Sequence, residues 1–122
     1  MAALAIRALD LPVESVETLR SLHDYCVVAD LERWPDRDPL PFNESVWRIR
    51  SPFRERRDWV IEAEPGRIVA LGNVMFGLHE QNRHVASAGI SVHADFRRRG
   101  FGSALLAEIV AESGRQIGRA HV

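Results

Sequence analysis

Residues 90–106 read ISVHADFRRRGFGSALL, a β-forming run that passes through a basic, glycine-punctuated loop directly into an apolar-striped segment. That order fixes a strand, a short turn and a helix, with Arg97-Arg98-Arg99-Gly100-Phe101-Gly102 in the loop and at the helix entrance. A helix start leaves its first backbone amides without partners and carries a partial positive charge, so it favours an anion. Gly100 and Gly102 lack a Cβ, which lets a diphosphate approach the main chain and permits unusual φ values. The three arginines add positive charge for outlying phosphates.

The rest of the chain supplies strands before this loop and helices before those. Ala2–Leu9 reads as a first strand, with Leu4 and Ile6 in alternation. Pro12 suits the first turn of a helix. From Glu14 to about Arg33, Val16, Leu19, Leu22, Cys26, Val27 and Leu31 recur at helical spacing. Pro35, Pro39 and Pro41 end that helix. Asn43 is a suitable N-cap for a short second helix carrying Val46 and Trp47, stopped by Pro52. Asp58–Glu64 is a strand, Glu64-Pro65-Gly66-Arg67 a turn, and Ile68–Leu78 a nearly continuous apolar strand covered on both faces. Val85–Val92 is the next strand, so the three form an antiparallel meander. The closing helix runs from about Gly102 to Ser113, with Leu105, Leu106, Ile109 and Val110 as its stripe and Gly114 as its C-terminal cap. Residues 118–122 offer at most the start of one more strand. The order is β-α-α-β-β-β-α, an α+β fold.

Bulk properties exclude several classes. A chain of 122 residues, 46% hydrophobic, fits a single domain with one core. The net charge of -1, and the lack of aromatics interleaved with a wider basic field, argue against a nucleic-acid partner. No apolar run approaches the roughly 20 residues that span a bilayer, and the N-terminus does not read as a signal peptide. One cysteine, Cys26, precludes an internal disulfide and fits a reducing, cytoplasmic setting. No two histidines have the spacing of a helical zinc site, so no metal is expected.

With strand before and helix after, Arg97, Gly100 and Gly102 resemble the R/Q-x-x-G-x-G/A acyl-CoA motif of the GNAT superfamily of N-acyltransferases. The resemblance covers the whole chain, which matches the first half of the family's element order. It implies a GNAT-type mixed sheet flanked by helices, acetyl-CoA as acyl-donor cosubstrate, and transfer of an acetyl or similar group to a small-molecule or peptide amine. It also implies that the amides of Arg98, Arg99, Gly100, Phe101, Gly102 and Ser103 cradle the CoA pyrophosphate. Main-chain groups of Ile90, Ser91 and Val92 would pair with the pantetheine arm as an added strand, and Arg97 and its neighbours would reach the ribose phosphate.

The family's fifth strand, fourth helix and last two strands have no counterpart in the sequence, which suggests a C-terminally truncated domain. The fourth strand is then an open edge, to be completed by a longer product, a second copy or strand complementation. The alternative function is a catalytically incomplete remnant that binds acyl-CoA or pairs sheets. No catalytic residue is assigned. Tyr25, the sole tyrosine, is expected to pack within the first helix, and His79 and Glu80 to be turn residues. Cys26 belongs to an apolar stripe and is expected to be inert. Asp30, Glu32, Asp36 and Asp38, interleaved with Arg33 and Arg37, read as a solvated helix end, with attraction of an amine as the second reading. Trp34, Trp47 and Trp59 fill the core or line the acceptor cleft.

Overall fold

A computed structural model describes residues 5–49, 55–76 and 86–120. The elements are β1 (Ile6–Leu9), α1 (Val16–Arg33), α2 (Phe42–Ile49), β2 (Glu55–Glu64), β3 (Arg67–Phe76), β4 (Ala86–Val92), a 3-10 turn (Ala94–Phe96) and α3 (Phe101–Ala120). The expected order is present, and the described strands form one sheet, β1-β2-β3-β4, with antiparallel neighbours throughout.

Residue alternation on β2 separates two cores. Trp59 and Ile61 point to one face, where Ala70 and Val74 of β3 meet Leu105 and Ile109 of α3. Val60 points to the other face, joining Leu9, Leu11 and Ile68 with Leu19, Leu22 and Tyr25 from the α1 side. A bulge keeps this alternation in step near the hairpin. Ile61 opposes Ala70 but Glu62 opposes Ile68, so Val69 is the extra residue. Gly72 sets how closely α3 approaches, because a Cβ there would lie 3.2 Å from the Leu105 Cβ.

Several boundaries differ from expectation. Pro12 sits in a turn, and α1 starts later, capped by Ser15, whose hydroxyl accepts the Thr18 amide at 3.2 Å. Its buried stripe is Leu19, Leu22 and Tyr25, with Val16 and Leu31 exposed. Asn43 does not cap α2, because Pro41 precedes the first helical residue and its carbonyl accepts the Ser45 amide. Gly114 is an interior position of α3. A single interior glycine costs a helix only about 1 kcal/mol, less than the neighbouring turns supply. Residues 118–120 are accordingly helical, not the start of a strand.

Candidate functional site

The loop between β4 and α3 has two residues in the left-handed region. Arg97 is extended, Arg98 has φ 63° and Gly100 has φ 83°. At Arg98 this conformation is uncommon for a residue with a side chain and costs about 1 kcal/mol. The Gly100 carbonyl accepts the Ala104 amide at 3.0 Å, which makes Gly100 the N-cap of α3. Phe101, Gly102 and Ser103 are therefore its first three helical residues, and no acceptor among the described residues takes their amides. A Cβ on Gly100 or Gly102 would meet no atom within 4 Å, so the space outside the loop is open.

Aromatic packing holds the loop in shape. Phe96 and Phe101 stack with centroids 6.5 Å apart, bracketing the arginines. Arg99 lies over the Phe96 ring at 5.1 Å and Arg67 of β3 at 5.6 Å. Arg97 turns away from the helix mouth. Its Nε donates to the Val92 carbonyl at 3.1 Å and its Nη2 to Glu32 of α1.

β4 borders the described sheet. The His93 amide bonds to the Val69 carbonyl, so Ser91, two residues back, also directs its main-chain groups to β3. The same alternation turns those of Ile90 and Val92 to the outer edge. Among the described residues no strand pairs with that edge. Of the three residues expected along an added strand, Ile90 and Val92 thus present main-chain groups, whereas Ser91 presents its side chain to the α1 face.

There Ser91 meets a residue that periodicity had assigned only to packing. The Tyr25 phenol lies 2.6 Å from Ser91 Oγ. Tyr25 is buried, and burial raises its pKa above the ordinary 10.0 despite the Ser91 hydrogen bond. Beside this pair is a cavity of about 290 Å³ lined by α1 and the end of β4, with Glu32 and Arg97 among its polar walls. A helical pattern marks which residues point inward, and only the paired register shows that Tyr25 reaches β4.

The remaining candidates divide clearly. Glu32 alone of the acidic cluster lines the cavity, and Asp30, Asp36 and Asp38 do not. Cys26 is half-buried, and burial followed by Asp30 pushes its thiol up to about 11. Trp59 is core, Trp47 is exposed, and the guanidinium groups of Arg33 and Arg37 lie over the Trp34 ring. His79 and Glu80 lie outside the described residues. Among those described, no group of three or more His, Cys, Asp or Glu is placed to hold a metal ion. No described helix is long and apolar enough to cross a membrane.

Known proteins match this arrangement in sequence pattern and in fold. Residues 55–122, more than half of the chain, match the model of the acetyltransferase (GNAT) domain. No curated protein matches the sequence at a significant level. An acetyltransferase of the GNAT family from Streptococcus pneumoniae superposes with a TM-score of 0.69 at 17% identity, over 93% of this chain and 68% of its own. A GNAT phosphinothricin acetyltransferase from Sinorhizobium meliloti, solved with AcCoA, gives 0.69 at 18%, over 92% and 60%. A spermidine N-acetyltransferase from Vibrio cholerae, solved with CoA and spermine, gives 0.58 at 18%, over 90% and 63%. The chain thus spans between 60% and 68% of the length of these three neighbours. The chain belongs to the GNAT acetyltransferase family.

Proposed function

We propose that the protein transfers an acetyl or similar acyl group from acyl-CoA to an amine. The observation that carries this reading is the helix mouth at Phe101–Ser103, whose amides no acceptor among the described residues takes, beside the β4 edge that no described strand pairs. A diphosphate on the amides of residues 98–103 gains several charge-assisted hydrogen bonds, with Arg98 and Arg99 beside it. The pantetheine arm then lies along the Ile90 main chain and the Val92 amide, the Val92 carbonyl being held by Arg97 Nε. Structures of the same fold hold AcCoA, or CoA with spermine, which supports a thioester donor and an amine acceptor.

In the transfer, the amine nitrogen attacks the thioester carbonyl, a C–N bond forms and the C–S bond breaks. The amine gives up a proton and the departing thiolate takes one. The cavity beside Tyr25 and Ser91 is the acceptor's approach, because it adjoins the end of β4.

Calorimetric titration with acetyl-CoA tests the donor half, alongside Gly102→Glu. The added carboxylate suits a helix start but repels a diphosphate, so affinity should fall by about 2 kcal/mol, roughly thirtyfold. Equal affinity in the two proteins would remove the loop from the site. Amine-dependent thiol release supports the transferase, whereas binding without turnover supports an acyl-CoA-binding module.

A further inference from the structure

The cavity between α1 and β4 carries both signs of charge in a small space. Its ionisable lining is one carboxylate, Glu32, two guanidinium groups, Arg33 and Arg97, and the imidazole of His93. Glu32 is engaged by Arg97 across the cavity wall. Arg33 has an aromatic neighbour instead, its Cζ 4.7 Å from the Trp34 ring centroid. His93 Nδ1 lies 3.1 Å from the Asp95 amide and 3.8 Å from the Asp95 carboxylate. Of the carboxylate and the two guanidinium groups, one positive charge is in surplus, that of Arg33. Val28, Ala29 and Val92 make the apolar part, and the hydroxyls of Tyr25 and Ser91 share one hydrogen bond.

Resting on the acyl-transfer reading above, we infer that the cavity selects a small amine that also bears a carboxylate, an acceptor of the α-amino-acid type. The carboxylate meets Arg33, the ammonium meets Glu32 on the far side of the ion pair, and an apolar tail lies on Val28, Ala29 and Val92. A polyamine would face the same two guanidinium groups with no anion of its own to meet Arg33. A volume of about 290 Å³ suits a ligand of amino-acid size and leaves little room for a folded peptide segment.

The test is a calorimetric panel of norvaline, norvaline methyl ester and spermidine, run with the chain saturated in CoA and again without it. Unacylated CoA prevents turnover, and the run without CoA reads the cavity by itself. Norvaline should bind about tenfold more tightly than its ester, the scale of one charge-assisted hydrogen bond, and spermidine least tightly. Arg33→Gln should bring norvaline down to the level of the ester. Equal or tighter binding of the ester or of spermidine overturns the inference, as does a panel in which no amine binds. Norvaline displaced by CoA would also overturn it, because the cavity would then belong to the pantetheine arm. A flat panel with CoA binding that Gly102→Glu weakens sinks this inference alone. Failure of the chain to bind CoA sinks the acyl-transfer reading, while the panel without CoA still decides the acceptor class.

Discussion

Gly102→Leu separates a structural glycine from a ligand-facing one, because the two roles give opposite signs. Gly102 lies in the first turn of α3 with φ outside the left-handed region, and an added Cβ meets nothing within 4 Å. Leucine there raises helix propensity and removes backbone freedom from the unfolded chain. The gain is up to about 1 kcal/mol, or a few degrees in the unfolding midpoint for a domain of this size. A diphosphate seated on the amides of Gly102 and Ser103 would meet the new side chain, which is larger than the glycine or alanine the motif admits. Losing even one charge-assisted hydrogen bond costs about 1.5–3 kcal/mol, a drop of roughly ten- to a hundredfold in acetyl-CoA affinity. Thermal melts followed by circular dichroism read the first quantity, and calorimetric titration reads the second. A more stable protein with unchanged affinity would refute the diphosphate seat, and a less stable one would refute the helix entrance itself. Gly100→Ala cannot make this distinction, because φ 83° adds backbone strain of about 1 kcal/mol whatever the ligand does.

Three further outcomes follow from buried groups. Absorbance titration of Tyr25, the sole tyrosine, should give a midpoint above 10.0, and one at or below that value would contradict its burial. Its folded state holds the proton more tightly than the unfolded chain, so this contribution is intact below the unfolded value and is lost as pH rises through the folded one. Cys26, raised to about 11, should be ionised in only about one molecule in a thousand at pH 8, so a thiol reagent should label it at least about tenfold more slowly after unfolding is prevented than in urea. Asp58 is 2% exposed and accepts from Arg56 Nε at 2.8 Å and Nη2 at 2.6 Å. Asp58→Ala strands that guanidinium and should cost about 3 kcal/mol in urea denaturation, and a loss below about 1 kcal/mol would show the pair to be well solvated.

The strand meander and the final helix were legible because their signals are local. Alternation and β-branched content mark Trp59–Ile61 and Ile68–Ala70, and of the four residues expected as the stripe of α3, Leu105 and Ile109 are core while Leu106 and Val110 are exposed. The ends were less legible because propensity differences there are small. Ser15 outcompetes Pro12 as the start of α1 by offering a side-chain acceptor to Thr18, and Gly114 is absorbed into α3 for lack of a competing turn. The exposed Val16 and Leu31 show a further limit, since an apolar residue at helical spacing need not face the core.

The two halves of the candidate site differ in the same way. The proposed anion seat consists of consecutive residues, so glycine placement and the strand-to-helix transition suggest it before any tertiary contact is known. The cavity is built from residues far apart in sequence: Tyr25 reaches Ser91 across 66 positions, and Glu32 reaches Arg97 across 65. No short-range pattern encodes those meetings, because they depend on α1 lying over the β3–β4 pair with one particular register. Arg97 links the halves. Its neighbours form the helix mouth while its own guanidinium ties that loop to α1. A ligand that drew Arg97 toward phosphate would uncover the Glu32 carboxylate, so donor and acceptor affinities should be coupled. By reciprocity, an amine that displaced Arg97 from Glu32 would change CoA affinity by the same factor. Glu32→Gln should weaken that coupling, and a double titration showing undiminished coupling in the variant would rule out this ion pair as its carrier.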